Sequence, residues 1–148
     1  MKSSFWKTVS ILTCVLAIAA LIVCIAMGGC SKQLETTAGG VCYMKCYWCF
    51  RASTIVLGLT IIASFAQIFK KEADTRRVCA VFTGLGAVGT IAMNATSIVG
   101  ICVGAAEAGM HCFTTALVVD IICAVIIILA FVAIFGSKPK SNKPKMTL

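Results

Sequence analysis

Four long apolar blocks alternate with short polar stretches along the chain, and this pattern predicts four membrane-spanning helices. The blocks cover residues 8–28, 52–69, 78–104 and 113–135. About 20 helical residues cross a hydrocarbon core that is roughly 30 Å thick. Backbone groups in lipid must form their hydrogen bonds within the segment, which favours helices. We therefore expect an all-α membrane domain over 1–136, followed by a basic, disordered tail over 137–148.

The first block also resembles a removable signal sequence. Lys2 and Lys7 precede it, and Met27-Gly28-Gly29-Cys30 is similar to a lipoprotein cleavage site. A signal peptide has an apolar run of about 7–15 residues, which is shorter than this block. We expect the block to remain as the first transmembrane helix.

The two halves of the chain share a pattern that indicates an internal duplication. Met44-Lys45-Cys46 in the first half matches Met110-His111-Cys112 in the second. Phe65 follows Cys46 by nineteen residues, and Phe131 follows Cys112 by the same distance. The predicted repeats are residues 1–74 and 75–136, each a helix, a cysteine-bearing loop and a second helix.

The distribution of cations predicts the orientation of the domain. Ten of the thirteen Lys and Arg residues lie at the termini or between the second and third blocks, and three lie in the first cysteine loop. Short loops rich in Lys and Arg stay in the cytoplasm. Both termini are therefore expected in the cytoplasm, in a multi-pass protein of the cytoplasmic (plasma) membrane whose cysteine loops face outward.

Composition narrows the classes of function. The chain is 60% hydrophobic and 12% charged, with a mean hydropathy of +1.03. The four blocks leave no room for a soluble catalytic domain. The net charge of +8 is explained by topology and by attraction to anionic lipid, so we expect membrane lipid and no nucleic acid among the partners.

Cysteines in the two outer loops predict disulfides, because thiols outside the cytoplasm are commonly oxidised. Cys102 and Cys112 are close enough in sequence to pair. In the first loop the expected bond joins Cys46 to Cys30 or Cys42. The role of such bonds would be structural, because they would hold the loops closed.

A redox function is the first alternative for the same cysteines. Cys46 and Cys49 form a C-x-x-C motif, the spacing that permits a reversible dithiol, and Arg51 follows it. This arrangement resembles the four-helix quinone-linked disulfide-forming proteins, which implies an extracytoplasmic thiol–disulfide oxidoreductase. The second outer loop of this chain, expected to hold about eight residues, is too short for the electron relay of those proteins.

Copper binding is the second alternative. Methionine, cysteine and histidine are soft ligands suited to Cu(I). The duplication would bring the two triplets together about a pseudo-twofold axis. The candidate ligands are Met44, Cys46, Met110, His111 and Cys112.

Two polar residues fall inside the predicted spans. Asp120 lies in the fourth block, and Asn94 lies at a similar depth in the third. An acid within lipid is a candidate for function by default. A hydrogen bond between the two side chains is the structural alternative.

Gly84-x-Gly86-x2-Gly89 matches a dinucleotide-binding pattern, but no strand precedes it, as that motif requires. These glycines instead predict close approach of a neighbouring helix.

The motifs Met44-Lys45-Cys46-Tyr47-Trp48 and Met110-His111-Cys112 resemble those of a bacterial family of small four-helix membrane proteins of unknown function. In that family the first motif is Met-Lys-Cys-His-Trp, so Tyr47 and the additional Cys49 are departures. The resemblance implies a bacterial cytoplasmic membrane and association with transporter permeases.

Together these patterns predict a non-catalytic membrane protein with disulfide-stapled outer loops. We expect it to bind no cofactor and to act as an accessory subunit of a larger membrane assembly or as a homo-oligomer.

Overall fold

The structure is a computed structural model. It describes residues 3–28, 33–35, 41–43, 45–69, 72–95, 100 and 111–136. Cys30, Met44, Cys102, Met110 and the tail 137–148 lie outside these residues.

Four helices form the body of the protein: α1 (Ser3–Met27), α2 (Lys45–Phe69), α3 (Ala73–Asn94) and α4 (His111–Gly136). All four are long and apolar enough to cross a membrane. The prediction of an all-α, four-helix membrane protein is therefore confirmed at this level. A short antiparallel ribbon, β1 (Gln33–Glu35) and β2 (Val41–Tyr43), lies between α1 and α2 and was not predicted.

The helices pack as an antiparallel ring in which each one contacts its two neighbours in sequence, and α4 closes on α1. At one end, the side chain of Trp6 packs on Gly136. At the other end, Thr115 Oγ1 donates to the carbonyl of Met27 at 3.0 Å. The start of α1 and the end of α4 therefore lie together, and the starts of α2 and α4 lie at the opposite end, which we call the ribbon end.

Each helix turns small and weakly polar side chains inward and large apolar side chains outward. On α2, the buried positions recur every three or four residues, as expected for one face of a helix. The outward positions of all four helices include exposed leucine, isoleucine, valine and phenylalanine side chains. This arrangement suits lipid, where small inward residues let helices approach closely. The buried residues of α2 are Cys46, Cys49, Phe50, Ser53, Leu57, Thr60, Ser64 and Gln67.

Gly86 marks the closest approach between α2 and α3. A Cβ atom at this position would collide with Thr60 Oγ1, whereas a Cβ at Gly89 would meet Val56 Cγ1 at 3.7 Å. Gly84 faces α4 instead, with Ala130 Cβ at 3.4 Å. The glycines of α3 thus serve helix packing, as their pattern predicts.

Two helix boundaries differ from the sequence prediction. Helix α2 begins at Lys45, so Cys46 and Cys49 lie on the helix and not in a loop. Helix α3 ends at Asn94, where Ala95 turns to an extended conformation, and Gly100 has a φ of 62°, outside a helix. Helix α4 begins at His111, so residues 95–110, most of them outside the described part, separate the two helices in sequence. Hydropathy extended α3 too far because residues 95–104 are also apolar.

The buried faces of α2 and α4 follow the same register. Cys46 and Cys112 are each the second residue of their helix, separated by 66 residues. The rings of Phe65 and Phe69 contact each other, as do those of Phe131 and Phe135, at equivalent positions near the helix ends. The same offset relates further buried pairs: Cys49 and Thr115, Phe50 and Ala116, Ser53 and Val119, Leu57 and Cys123, Thr60 and Ile126, Ser64 and Ala130.

Candidate functional site

The C-terminus of α3 is enclosed by the other helices at the ribbon end. The last carbonyls of a helix have no partner within it. The carbonyl of Met93 accepts from the backbone N–H of Gly100 at 3.3 Å, and Cys49 Sγ on α2 lies 3.0 Å from the same oxygen. A thiol from α2 thus caps the end of α3.

Asn94, the last residue of α3, connects three helices through its side chain. Its Nδ2 donates to Asp120 Oδ1 on α4 at 2.7 Å. Its Oδ1 accepts from Ser53 Oγ at 3.5 Å and lies 3.6 Å from Cys49 Sγ, both on α2. Asn94 is 3% exposed, so these contacts satisfy an amide that has little access to water or lipid.

Two more thiols lie beside this network. Cys24 on α1 is 3% exposed and lies near Cys49 and Asp120. Cys123 on α4 is 0% exposed and lies near Asp120, Cys24 and Thr90. Every helix therefore contributes to one group of polar side chains, which we call the Asn94 cluster: Cys24, Cys49, Ser53, Asn94, Asp120 and Cys123.

A hydrogen bond between Asn94 and Asp120 was one of the sequence predictions, but the position of Asn94 in its helix differs from the predicted one. Asn94 is the final residue of α3 and not an interior residue. Asp120 is the tenth residue of α4, which places it roughly 13 Å from the start of that helix. Helix α4 therefore extends well beyond α3 at the ribbon end.

The C-x-x-C motif faces the interior. Cys46 and Cys49 are both 0% exposed and lie on the inward face of α2. Arg51 is exposed, and its guanidinium carbon lies 5.3 Å from the centre of the Tyr47 ring. The arginine is thus turned away from the thiols, unlike a group that activates a surface dithiol.

The structure holds no disulfide among the cysteines whose side chains it describes. Cys46 and Cys112 lie in the apolar core at the first turns of α2 and α4, 0% and 1% exposed. Both side chains point between the helices. The expected partners Cys30 and Cys102 lie outside the described residues, as does the side chain of Cys42, so the pairing scheme stays a prediction.

The candidate copper ligands do not share one environment. His111 is exposed, whereas Cys112 beside it is buried. Among the described side chains, no group of three His, Cys, Asp or Glu residues is arranged to hold a metal ion. Met44 and Met110 fall outside the described part, so the Cu(I) hypothesis stays a prediction; of its two cysteines, both belong to the apolar core.

Comparison with known proteins identifies the family of the chain but assigns no activity to it. A family model described as a domain of unknown function, DUF4418, matches residues 7–136. The chain belongs to the DUF4418 family. No curated protein and no solved structure matches it. The DUF4418 match ends at Gly136, the last residue of α4, so the family domain coincides with the helical bundle.

Sequence reasoning missed most of the polar interior of this DUF4418 domain. Hydropathy shows α2 only as an apolar block, yet its Ser53, Thr60, Ser64 and Gln67 side chains all face inward. Gln67 Nε2 donates to Thr83 Oγ1 of α3 at 2.9 Å, near the end opposite the ribbon. The signal was present, because these polar residues recur at intervals of three, four and seven positions on one helical face.

Proposed function

We propose that this DUF4418 protein is a non-catalytic subunit of a larger membrane assembly, of the transporter type implied by its motif resemblance, in a bacterial cytoplasmic membrane. The observation that supports this proposal is that the cysteine and aspartate side chains of the Asn94 cluster face the interior of the bundle. The Cys49 thiol and the Asp120 carboxyl both contact Asn94 inside the bundle, and Cys24 and Cys123 are buried there as well. The surface that remains for a partner is apolar helix.

One outward region suits a helix from a partner better than the rest. A groove of about 460 Å³ lies between α2 and α3 on the outer surface. Ala63, Ala66 and Gly86 line it together with the larger side chains of Leu59 and Phe82. Small residues let a second helix come close, which is the main source of helix association in lipid.

Orientation and loop chemistry complete the proposal. We infer that the termini lie in the cytoplasm, and that the ribbon end faces outward. The antiparallel ring supports this inference because it brings the start of α1 and the end of α4 together, next to the basic α2–α3 connection. Any disulfide that staples the outer loops would then involve Cys30, Cys42 or Cys102.

Site-specific photocrosslinking in the native host tests the proposal. A photoreactive residue at Phe82, 61% exposed in the groove, should give a crosslink to a distinct, larger membrane protein. The control is Ile128, 62% exposed on the outer face of α4, which should give at most a small fraction of that product. A product formed equally at both positions, or crosslinks only between copies of the chain, would contradict the accessory-subunit proposal.

Thiol–disulfide exchange is the second candidate, because Cys46 and Cys49 form a dithiol on one helical face. It requires that the helices open, since both thiols are enclosed. Trapping of mixed disulfides by a Cys49→Ala variant in intact cells would favour it. If neither the wild type nor the variant gives a trapped mixed disulfide, the non-catalytic function is retained.

A further inference from the structure

A cavity opens between the end of α1 and the start of α2. It encloses about 280 Å³ and is lined on the α1 side by Cys24 and Gly28, and on the α2 side by Tyr47, Arg51 and Thr54. The ring of Phe50 forms a wall against Gly28, where even a Cβ would come within 3.2 Å of Phe50 Cδ1. The cavity therefore combines an apolar wall with one cation.

Arg51 is the cation that lines this cavity. Among the described residues, its guanidinium carbon lies over the face of the Tyr47 ring, 5.3 Å from the ring centre. Tyr47 lies one helical turn closer to the start of α2. The ring therefore directs the guanidinium toward the membrane surface, as expected for an arginine near the end of a span.

The position of the cavity matches the level of lipid headgroups. Helix α2 begins with the exposed Lys45, and Trp48, the fourth residue of the helix, is 60% exposed. Tyrosine and tryptophan concentrate at the boundary between hydrocarbon and headgroups. Arg51 therefore lies where phosphate groups of the bilayer are within reach.

We propose that this cavity binds the headgroup of an anionic phospholipid, with Arg51 holding the phosphate. Guanidinium groups bind phosphate through two parallel hydrogen bonds. Thr54 Oγ1 donates its proton to the carbonyl of Phe50 at 2.7 Å, so toward the cavity it offers lone pairs that accept from a headgroup hydroxyl. The wall formed by Phe50 suits the apolar part of the lipid.

Helix α4 carries neither a tyrosine nor a cation at the positions equivalent to Tyr47 and Arg51. The positions of α4 that correspond to Tyr47 and Arg51 at the 66-residue offset are Phe113 and Leu117. The lipid site is thus a feature of one helix pair and not a consequence of the overall net charge. It is independent of whether the protein acts as an accessory subunit.

Native mass spectrometry of the full chain in detergent tests the site with defined probes. Phosphatidylglycerol should remain bound to wild type, while phosphatidylcholine should dissociate, and inorganic phosphate should not compete at equal concentration. Arg51→Gln should weaken phosphatidylglycerol binding by roughly tenfold, the loss expected for one charge-assisted phosphate contact. Lys45→Gln removes an equal charge from the same helix outside the cavity and should change binding by less than about twofold.

Equal weakening by Arg51→Gln and Lys45→Gln would overturn the site in favour of diffuse attraction. Competition by inorganic phosphate would overturn the lipid as its occupant. If Arg51→Gln does not fold, photoactivatable phosphatidylglycerol on wild type decides the matter. Its crosslinks should map to residues 24–28 and 47–54, and crosslinks spread evenly over α3 and α4 would contradict the proposal.

Discussion

Asn94 and Asp120 join the end of α3 to the middle of α4 through a hydrogen bond of 2.7 Å. The bond accounts for the acid within the span, because the amide donates to one carboxyl oxygen while its own oxygen faces Ser53 and Cys49. The carboxyl and the amide thus stabilise each other inside the bundle.

Replacement of Asp120 separates this structural role from a functional one. Asp120→Asn keeps an acceptor for Asn94 and should lower the free energy of unfolding by less than about 1 kcal/mol, the scale of hydrogen bonds between helices in membranes. Asp120→Leu leaves the buried Asn94 amide without that acceptor and should cost more, about 1–3 kcal/mol. Thermal unfolding in detergent measures the difference.

The same two variants should be purified from the native host. A stable Asp120→Asn protein that has lost its membrane partner would show that the carboxylate serves partner binding or proton transfer, contrary to the structural role.

The glycines of α2 and α3 offer a matched test of packing. Gly86→Ala places a methyl group against Thr60, which is 1% exposed, and should destabilise the protein by about 1–3 kcal/mol, as overpacking does. Gly58→Ala has no atom within 4 Å of the new Cβ and should be neutral or stabilising by up to about 1 kcal/mol. Adding Thr60→Ala to Gly86→Ala should recover part of the loss. Similar stability of the two single variants would show that α2 and α3 do not meet at Gly86.

The sequence predicts disulfides at Cys46 and Cys112, whereas the structure buries both side chains in the core. Because both side chains lie in the core, alkylation of the folded protein should leave them unmodified, and denaturation without reductant should expose them as thiols. Peptide mapping by mass spectrometry measures both states. Detection of a Cys102–Cys112 bond would restore the stapled second loop predicted from sequence.

Orientation in the membrane is testable at the tail. A Ser141→Cys variant should resist membrane-impermeant maleimide in intact cells and react once the cells are opened. Lys45→Cys, exposed at the ribbon end, is the control and should react in both conditions. Identification of the labelled peptides avoids interference from the native cysteines. Labelling at residue 141 in intact cells would reverse the topology, and with it the side on which the ribbon lies.

The sequence alone determined the number of spans, because hydropathy over about 20 residues reports directly on what lipid accepts. It also indicated the shared register of Cys46 and Cys112, and the packing role of the glycines in α3. Tertiary structure decided the rest. Helix α2 starts at Lys45, where Cys46 and Cys49 are buried against neighbouring helices, and Cys49 caps α3 at the carbonyl of Met93, 44 residues later along the chain. Hydropathy is an average over a segment and does not report on individual hydrogen bonds. The end of α3 depends on which groups from other helices satisfy its last carbonyls. The partners of Asn94 likewise depend on which groups from other helices satisfy its buried amide.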